Sequence, residues 1–141
     1  SERQPSLYWN SGGAIYLIDA DGTVIGPTKG VYSKLPTVTD SSNLPVKIGD
    51  RVVPTSFVTF VKQFLVGMSG LGVGATELFV VESTSELTIK TDKGYAVKLD
   101  TTRSAEGEVT ALKQVLVELK RSKKSPKEYI DLRIERKAYY L

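Results

Sequence analysis

The residues best suited to chemistry by type and spacing are Asp19 and Asp21, which follow the apolar run 15–18 and precede Gly22 and Thr23. Two carboxylates separated by one residue can both face a bound Mg²⁺ ion and a phosphoryl group. In such a site the first carboxylate attacks phosphorus and the second transfers a proton. The pattern therefore predicts metal-assisted phosphoryl transfer, provided that the rest of the machinery follows in the chain.

The same Asp-x-Asp-Gly-Thr pattern opens the haloacid-dehalogenase-like phosphatases, which also need a second acidic pair farther along. Neither an Asp-Asp pair nor a Gly-Asp-x-x-x-Asp pattern follows Asp21. A polar hairpin turn at 19–22, with Gly22 at positive φ, accounts for the same residues without catalysis. We favour the turn and keep a Mg-dependent phosphatase using Asp19 and Asp21 as the alternative.

The composition removes most other enzyme classes. The sequence has no cysteine and no histidine, so disulfides, thiol nucleophiles, the usual zinc sites and the commonest general base are all excluded. With 141 residues, of which 40% are hydrophobic and 25% charged, the chain has the balance of one ordered globular domain. No segment is long and apolar enough to cross a bilayer. We expect no catalytic residue, no metal, no cofactor and no small-molecule substrate.

Two further segments could bind anions. The glycine-rich loop 67–74 is similar to a phosphate-binding loop, but it ends a helix instead of beginning one, and a helix C-terminus repels phosphate. Residues 120–127 include five basic side chains, which could contact nucleic acid, peptidoglycan or an anionic membrane surface. The net charge of only +3 argues against nucleic acid. A solvated helix end is the simpler interpretation, and the peptidoglycan or membrane contact stays open as an alternative.

The elements that position these groups follow from the periodicity of the sequence. Aromatic and β-branched residues predict a hairpin over Leu7–Ile25, with turns at 10–13 and 19–22. Three further extended runs are predicted at 78–81, 87–90 and 95–99. The last two are joined by a turn at Asp92-Lys93-Gly94, which predicts a second hairpin.

Apolar residues at spacings of three and four predict two amphipathic helices, the first over 55–68 and the second over 105–122. Thr55 or Ser56 is the expected N-cap of the first helix, and Ser104 that of the second. Glycines from Gly67 onward are expected to end the first helix. The proline- and glycine-rich region 26–54 predicts only short extended pieces, such as 44–46.

The final segment, 129–136, alternates strictly between apolar and charged residues, which is typical of a strand. A strand at the end of a chain is often a sheet edge, where unpaired N–H and C=O groups can accept a partner strand. An ordinary edge, guarded against aggregation by Arg136 and Lys137, is an equally good interpretation. The order of the elements predicts an α+β fold, with a mainly antiparallel sheet, two helices packed on one face, and the final strand near a sheet edge.

Three stretches together resemble the FtsQ/DivIB family of bacterial cell-division proteins. The first is Glu-Arg-Gln-Pro at 2–5, followed by Tyr-Trp-Asn at 8–10 and Tyr-Leu-Ile-Asp-Ala-Asp-Gly-Thr-Val at 16–24. The second is a Leu-Pro pair, at 35–36 or 44–45, and the third is Tyr-Ile-Asp-Leu-Arg at 129–133. Their order and separation agree with the family over almost the whole chain.

The resemblance implies a non-enzymatic scaffold of the division septum, held in the cell membrane by a single span, with this domain on the extracytoplasmic side. Residues 1–6 would be the end of a preceding POTRA-type domain, and 7–141 an FtsQ/DivIB-type β-domain. The membrane anchor and the POTRA domain would then lie outside these 141 residues.

The resemblance also implies where partners bind. The last strand would capture an FtsB-like coiled-coil protein, in complex with an FtsL-like protein, by adding a partner segment to the sheet edge. Arg133 would meet an acidic residue of the partner. The other contact residues would be Ile134, Glu135, Arg136, Lys137, Ala138, Tyr139 and Tyr140. The sequence departs from familiar members of the family after Arg133, where they have small residues.

Overall fold

The computed structural model describes residues 4–30, 33–133 and 139–140. Within these residues the chain forms nine β-strands and two α-helices. In chain order they are β1 (Pro5–Ser11), β2 (Ala14–Asp19), β3 (Val24–Thr28), β4 (Thr37–Asp40), α1 (Thr55–Gly70), β5 (Ala75–Val80), β6 (Glu86–Thr91), β7 (Ala96–Asp100), α2 (Ala105–Ser122), β8 (Tyr129–Asp131) and β9 (Tyr139–Tyr140). The predicted α+β class is confirmed.

All nine strands belong to one sheet, in the order β3-β2-β1-β4-β5-β6-β7-β8-β9. Five neighbouring pairs are antiparallel. The three parallel pairs are β1 with β4, β4 with β5, and β7 with β8. The sheet is therefore mainly antiparallel, and the final strand lies at its edge, as predicted.

The sheet and both helices share one apolar core. In β6 the buried residues are Leu87, Ile89 and Thr91, while Thr88 and Lys90 between them are more exposed, so one face of the sheet is covered and the other is open. The largest buried side chains of the helices are Phe57, Phe60, Phe64, Met68, Leu112 and Leu119. Each such side chain contributes about 1.5–3 kcal/mol by its removal from water.

The second helix matches its prediction at both ends. Ser104 has extended backbone angles, and its Oγ accepts the N–H of Gly107 at 2.9 Å. A serine in this position satisfies one of the orphan donors of the first turn. Because these signals are local, the sequence alone predicted α2 as Ala105–Ser122 correctly.

The N-cap of the first helix was predicted wrongly. Pro54 occupies the N-cap position without a side-chain hydrogen bond, so neither Thr55 nor Ser56 caps the helix. The helix passes Gly67 and ends at Gly70, which is one of the glycines expected to end it. A Cβ at Gly67 would lie 2.5 Å from Cγ2 of Val109 on α2, so this glycine allows the two helices to approach closely.

The region 26–54 contains more strand than the sequence suggested. β3 extends to Thr28, and β4 forms at Thr37–Asp40, whereas 44–46 is not a strand. β4 lies between β1 and β5 and is parallel to both. A four-residue strand has little local signal, because its hydrogen bonds come entirely from neighbours distant in the chain.

The final strand is shorter than predicted. β8 ends at Asp131, and Leu132 and Arg133 follow it outside any strand; residues 134–138 lie outside the described part of the chain. The Asp131 carboxylate accepts the backbone N–H of Arg133 at 3.0 Å, a local turn that competes with the hydrogen bonds of a sheet. β9 then pairs antiparallel with β8, so the chain reverses direction between them.

Candidate functional site

Asp19 and Asp21 lie in the turn between the antiparallel strands β2 and β3. The Asp19 Oδ1 atom accepts the backbone N–H groups of Asp21 and Thr23, both at 3.0 Å. Gly22 adopts φ +89°, and the carbonyl oxygen of Val53 lies where its Cβ would be. The carboxylate of Asp19 therefore organises a hairpin, and a phosphatase site at the end of a parallel strand gains no support from this geometry.

Within residues 4–30, 33–133 and 139–140, no three Asp or Glu side chains come together in a group that could hold a metal ion. In the same part of the chain, neither helix has the length and apolar character needed to span a membrane.

The C-terminal edge of the sheet is formed by β7, β8 and β9. Ile130 and Asp131 of β8 pair with Tyr140 and Tyr139 of β9. On its other side, β8 pairs in parallel with β7. Lys98 of β7 places its Nζ atom 3.9 Å from the ring centroid of Tyr129, which ties the two strands together on the open face of the sheet.

The structure describes three of the eight residues that the sequence assigned to partner binding. Arg133 lies directly after β8, and the backbones of Tyr139 and Tyr140 form β9, so the sheet brings the two ends of the predicted segment together. The other five, 134–138, lie outside the described residues.

The Arg133 guanidinium is held by two carboxylates of its own chain. Its Nε and Nη2 atoms bind Oδ1 and Oδ2 of Asp131 at 2.9 and 2.8 Å. Its Nη1 atom lies 3.4 Å from Oε2 of Glu86. The hydrogen bond from Arg133 lowers the pKa of Asp131 below its usual value, and the same bond raises the pKa of Arg133. A partner carboxylate at Arg133 would therefore have to share these donors.

A second arginine, Arg103, connects the end of β7 to the residue that follows β8. Its Nη1 atom donates to the carbonyl oxygen of Leu132 at 3.4 Å. Its Nε atom lies 3.5 Å from Oδ2 of Asp100, and Nη1 lies 4.0 Å from Oε1 of Glu108. Arg103 thus supports the backbone at the start of the predicted partner-binding segment.

Glu108 is the least expected member of this network, because it is a buried carboxylate on α2. Only 3% of the residue is exposed, and burial raises its pKa to about 7. Its Oε2 atom accepts the N–H of Asp100 at 3.4 Å. Neither Arg103 nor Glu108 was predicted from the sequence as a member of the site. The sequence did contain one signal that Glu108 is buried. It falls on the same helical face as the buried residues Ala105 and Leu112.

An open pocket of about 240 Å³ lies beside this network. It is lined by Ser85, Glu86, Asp100, Thr102 and Arg133. The pocket adjoins the point where β8 ends, because Arg133 is one of its lining residues.

Comparison with known proteins shows the family of the chain. The model of the family "Cell division protein FtsQ/DivIB, C-terminal" matches residues 7–133. The chain is also similar to two cell division proteins FtsQ: it is 47% identical over 53 residues to that of Chloroflexus aurantiacus and 51% identical over 47 residues to that of Chloroflexus aggregans. These alignments cover 36% and 33% of this chain, but only 19% and 17% of the relatives. Because the family model spans most of the chain, this protein belongs to the FtsQ/DivIB C-terminal family of cell-division proteins.

Proposed function

We propose that this domain is a non-enzymatic scaffold of bacterial cell division, which recruits FtsB-like and FtsL-like partners by strand addition at its C-terminal strand. The observation that carries the proposal is the position of β9, which pairs with β8 on one side and with no described strand on the other. Unpaired N–H and C=O groups at such an edge can bind an extended partner segment.

The opposite edge of the sheet is less suited to strand addition. It is formed by β3, which contains Pro27. Proline has no N–H group to donate to a partner strand, and it commonly protects an edge from pairing. The difference between the two edges favours the C-terminal one as the docking position.

The predicted contact residues are part of the proposal. Arg133, Tyr139 and Tyr140 flank the C-terminal edge, and Ile134, Glu135, Arg136, Lys137 and Ala138 connect them in the chain. Arg133 already binds the carboxylates of Asp131 and Glu86. We propose that it also binds a carboxylate of the partner as a third acceptor and thereby orients the partner-binding segment.

The proposal extends to the whole protein. It would be held in the cell membrane by a single span outside these residues, with this domain on the extracytoplasmic side at the division septum. Residues 1–6 would end a POTRA-type domain, and 7–141 would form the β-domain. The family relationship supports a role in division.

The test is a titration of the domain with the membrane-proximal extracytoplasmic segment of its FtsB-like partner. A variant that ends at Arg133 removes β9 but keeps the ion pair of Arg133 with Asp131. We expect this variant to lose binding while its circular dichroism spectrum stays unchanged. Equal binding by both chains would refute strand addition at this edge.

A second variant separates backbone pairing from side-chain contact. Tyr139→Pro removes one N–H group of β9, whereas Tyr139→Ala keeps the N–H and removes the ring. Strand addition predicts a larger loss of affinity for the proline variant. If the alanine variant loses as much, the tyrosine ring and not the strand carries the contact.

A further inference from the structure

The positive charge of the domain is concentrated at the end of α2. Lys120, Arg121, Lys123, Lys124 and Lys127 lie within eight residues that contain no acidic side chain; we call them the basic cluster. The whole chain has 19 basic and 16 acidic residues. Outside the segment 120–127 there remain 14 basic and 16 acidic residues, so the rest of the domain is slightly negative.

Ordinary structural roles account for only part of this cluster. Arg121 pairs with Glu118 at 2.6 Å, and Lys120 lies in the last turn of α2, where a cation complements the helix dipole. Lys123 is the C-cap and Lys124 follows it, so the dipole also favours these two cations, whereas Lys127 lies farther from the helix end. None of the four lysines forms an ion pair with any residue in the described part of the chain, and all four are exposed.

The backbone at the end of α2 is fixed by two hydrogen bonds, and Lys123 adopts an unfavourable backbone conformation there. The N–H of Lys123 donates to the carbonyl of Lys120 at 3.2 Å, and the N–H of Lys124 to that of Leu119 at 2.9 Å. These two bonds form the usual closing motif of a helix, in which glycine is the preferred left-handed residue. Here Lys123 takes that position, with φ 56° and ψ 38°. A lysine therefore occupies a position where glycine would be less strained.

We propose that the basic cluster docks this domain on an anionic phospholipid surface. Four of the five cations are lysines, which act as point charges on flexible stems and suit a diffuse negative potential better than a fixed carboxylate or phosphate pocket. Val117, one turn earlier on α2, is 59% exposed and adds a small apolar contact beside Lys120 and Arg121. The apolar face of α2 stays buried in the core, so the contact is electrostatic and peripheral.

The test uses the 141-residue chain and sedimentation with lipid vesicles. Vesicles that contain phosphatidylglycerol are compared with vesicles of phosphatidylcholine alone. The cluster variant carries Lys120→Glu, Lys124→Glu and Lys127→Glu. The matched control carries Lys47→Glu, Lys62→Glu and Lys93→Glu, three exposed lysines without ion pairs in the described residues, so both variants have the same net charge.

Wild type is expected to bind the anionic vesicles and not the neutral ones, and added salt should weaken the binding. Each cluster lysine is expected to change the affinity about fivefold, so the cluster variant should bind roughly 100-fold more weakly than wild type. The control should lose much less. Equal losses of affinity in the two variants would mean that net charge alone causes the binding. That result would overturn the proposal that the basic cluster is the lipid-binding surface.

Lys123→Gly removes one charge of the basic cluster without destabilising the fold, so a loss of binding in this variant would not result from unfolding. It should raise the melting temperature, because glycine is favoured at this position, and yet weaken vesicle binding. Two results would contradict the proposal: no binding of wild type to phosphatidylglycerol, or cluster-dependent binding only to purified peptidoglycan or to an acidic protein. The titration with the partner segment is independent, since the basic cluster lies outside β9.

Discussion

Arg133 and Asp131 form a two-point ion pair within one stretch of chain, with Nε to Oδ1 at 2.9 Å and Nη2 to Oδ2 at 2.8 Å. The same Oδ1 atom accepts the backbone N–H of Arg133. These bonds form a local turn directly after β8. They also fix the side chain of Arg133, which is the first residue of the proposed partner-binding segment.

Arg133→Ala is expected to destabilise the domain by about 1–2 kcal/mol, because Asp131 is buried and would lose its charged partner. Arg121→Ala is the matched control. It removes an ion pair with Glu118 that is just as short, but both side chains there are largely exposed, and we expect a loss of at most about 0.5 kcal/mol. Urea denaturation of the two variants measures the difference. Equal losses would show that Arg133 contributes no more than a surface pair.

Glu108→Gln is expected to stabilise the domain above pH 7 and to have little effect near pH 4.5. The pKa of Glu108 is raised from 4.5 to about 7, so the folded state binds the proton more tightly than the unfolded state. The wild type is therefore stabilised as the pH falls from about 7 to 4.5, and the ionised carboxylate is a cost above that window. The gain from glutamine at pH 8 should be about 3 kcal/mol, since one pKa unit corresponds to about 1.4 kcal/mol. Thermal unfolding at pH 8 and pH 5 measures it, and a gain that does not change with pH would contradict the prediction.

Gly22→Ala and Gly94→Ala separate close packing from backbone strain. Both glycines have nearly the same positive φ, +89° and +88°. A Cβ at Gly22 would lie 1.9 Å from the carbonyl oxygen of Val53, whereas a Cβ at Gly94 would meet nothing within 4 Å. We expect Gly94→Ala to lower the free energy of unfolding by about 1 kcal/mol because of backbone strain. Gly22→Ala should lower it by about 2 kcal/mol more, because the new Cβ would also collide with Val53. Chemical denaturation measures the loss of stability in each variant. Similar losses would mean that the 19–22 turn can move away from Val53.

Lys123→Gly and Lys113→Gly should change the stability in opposite directions. Lys123 has left-handed backbone angles, so glycine there should stabilise the domain by about 0.5–1 kcal/mol. Lys113 lies within α2 and is exposed, so glycine there should destabilise the domain by about 1 kcal/mol. Melting temperatures of both variants provide the comparison. If Lys123→Gly proves neutral, the left-handed lysine carries no strain.

Much of the fold could be predicted from the sequence where the signals are local. α2 was predicted with both ends correct, because its cap, its apolar stripe and its basic end lie within the helix and its flanking residues. The turns at 10–13 and 19–22 were also predicted, since Gly12, Gly13 and Gly22 provide the positive φ angles that such turns require. The identity of the family came from short motifs in the right order, and the family model over 7–133 confirms it.

Tertiary structure decided the features whose partners are distant in the chain. β4 exists only because β1 and β5 lie on either side of it, and β8 ends at Asp131 although its alternation continues in the sequence. The sequence pointed to Arg133 as a site residue, and Asp131 lies only two positions away. Glu86, Arg103 and Glu108, in contrast, reach that site from β6, the end of β7 and α2. A local pattern specifies backbone conformation, but a burial-shifted carboxylate or a shared ion pair arises only when the sheet brings separate elements together.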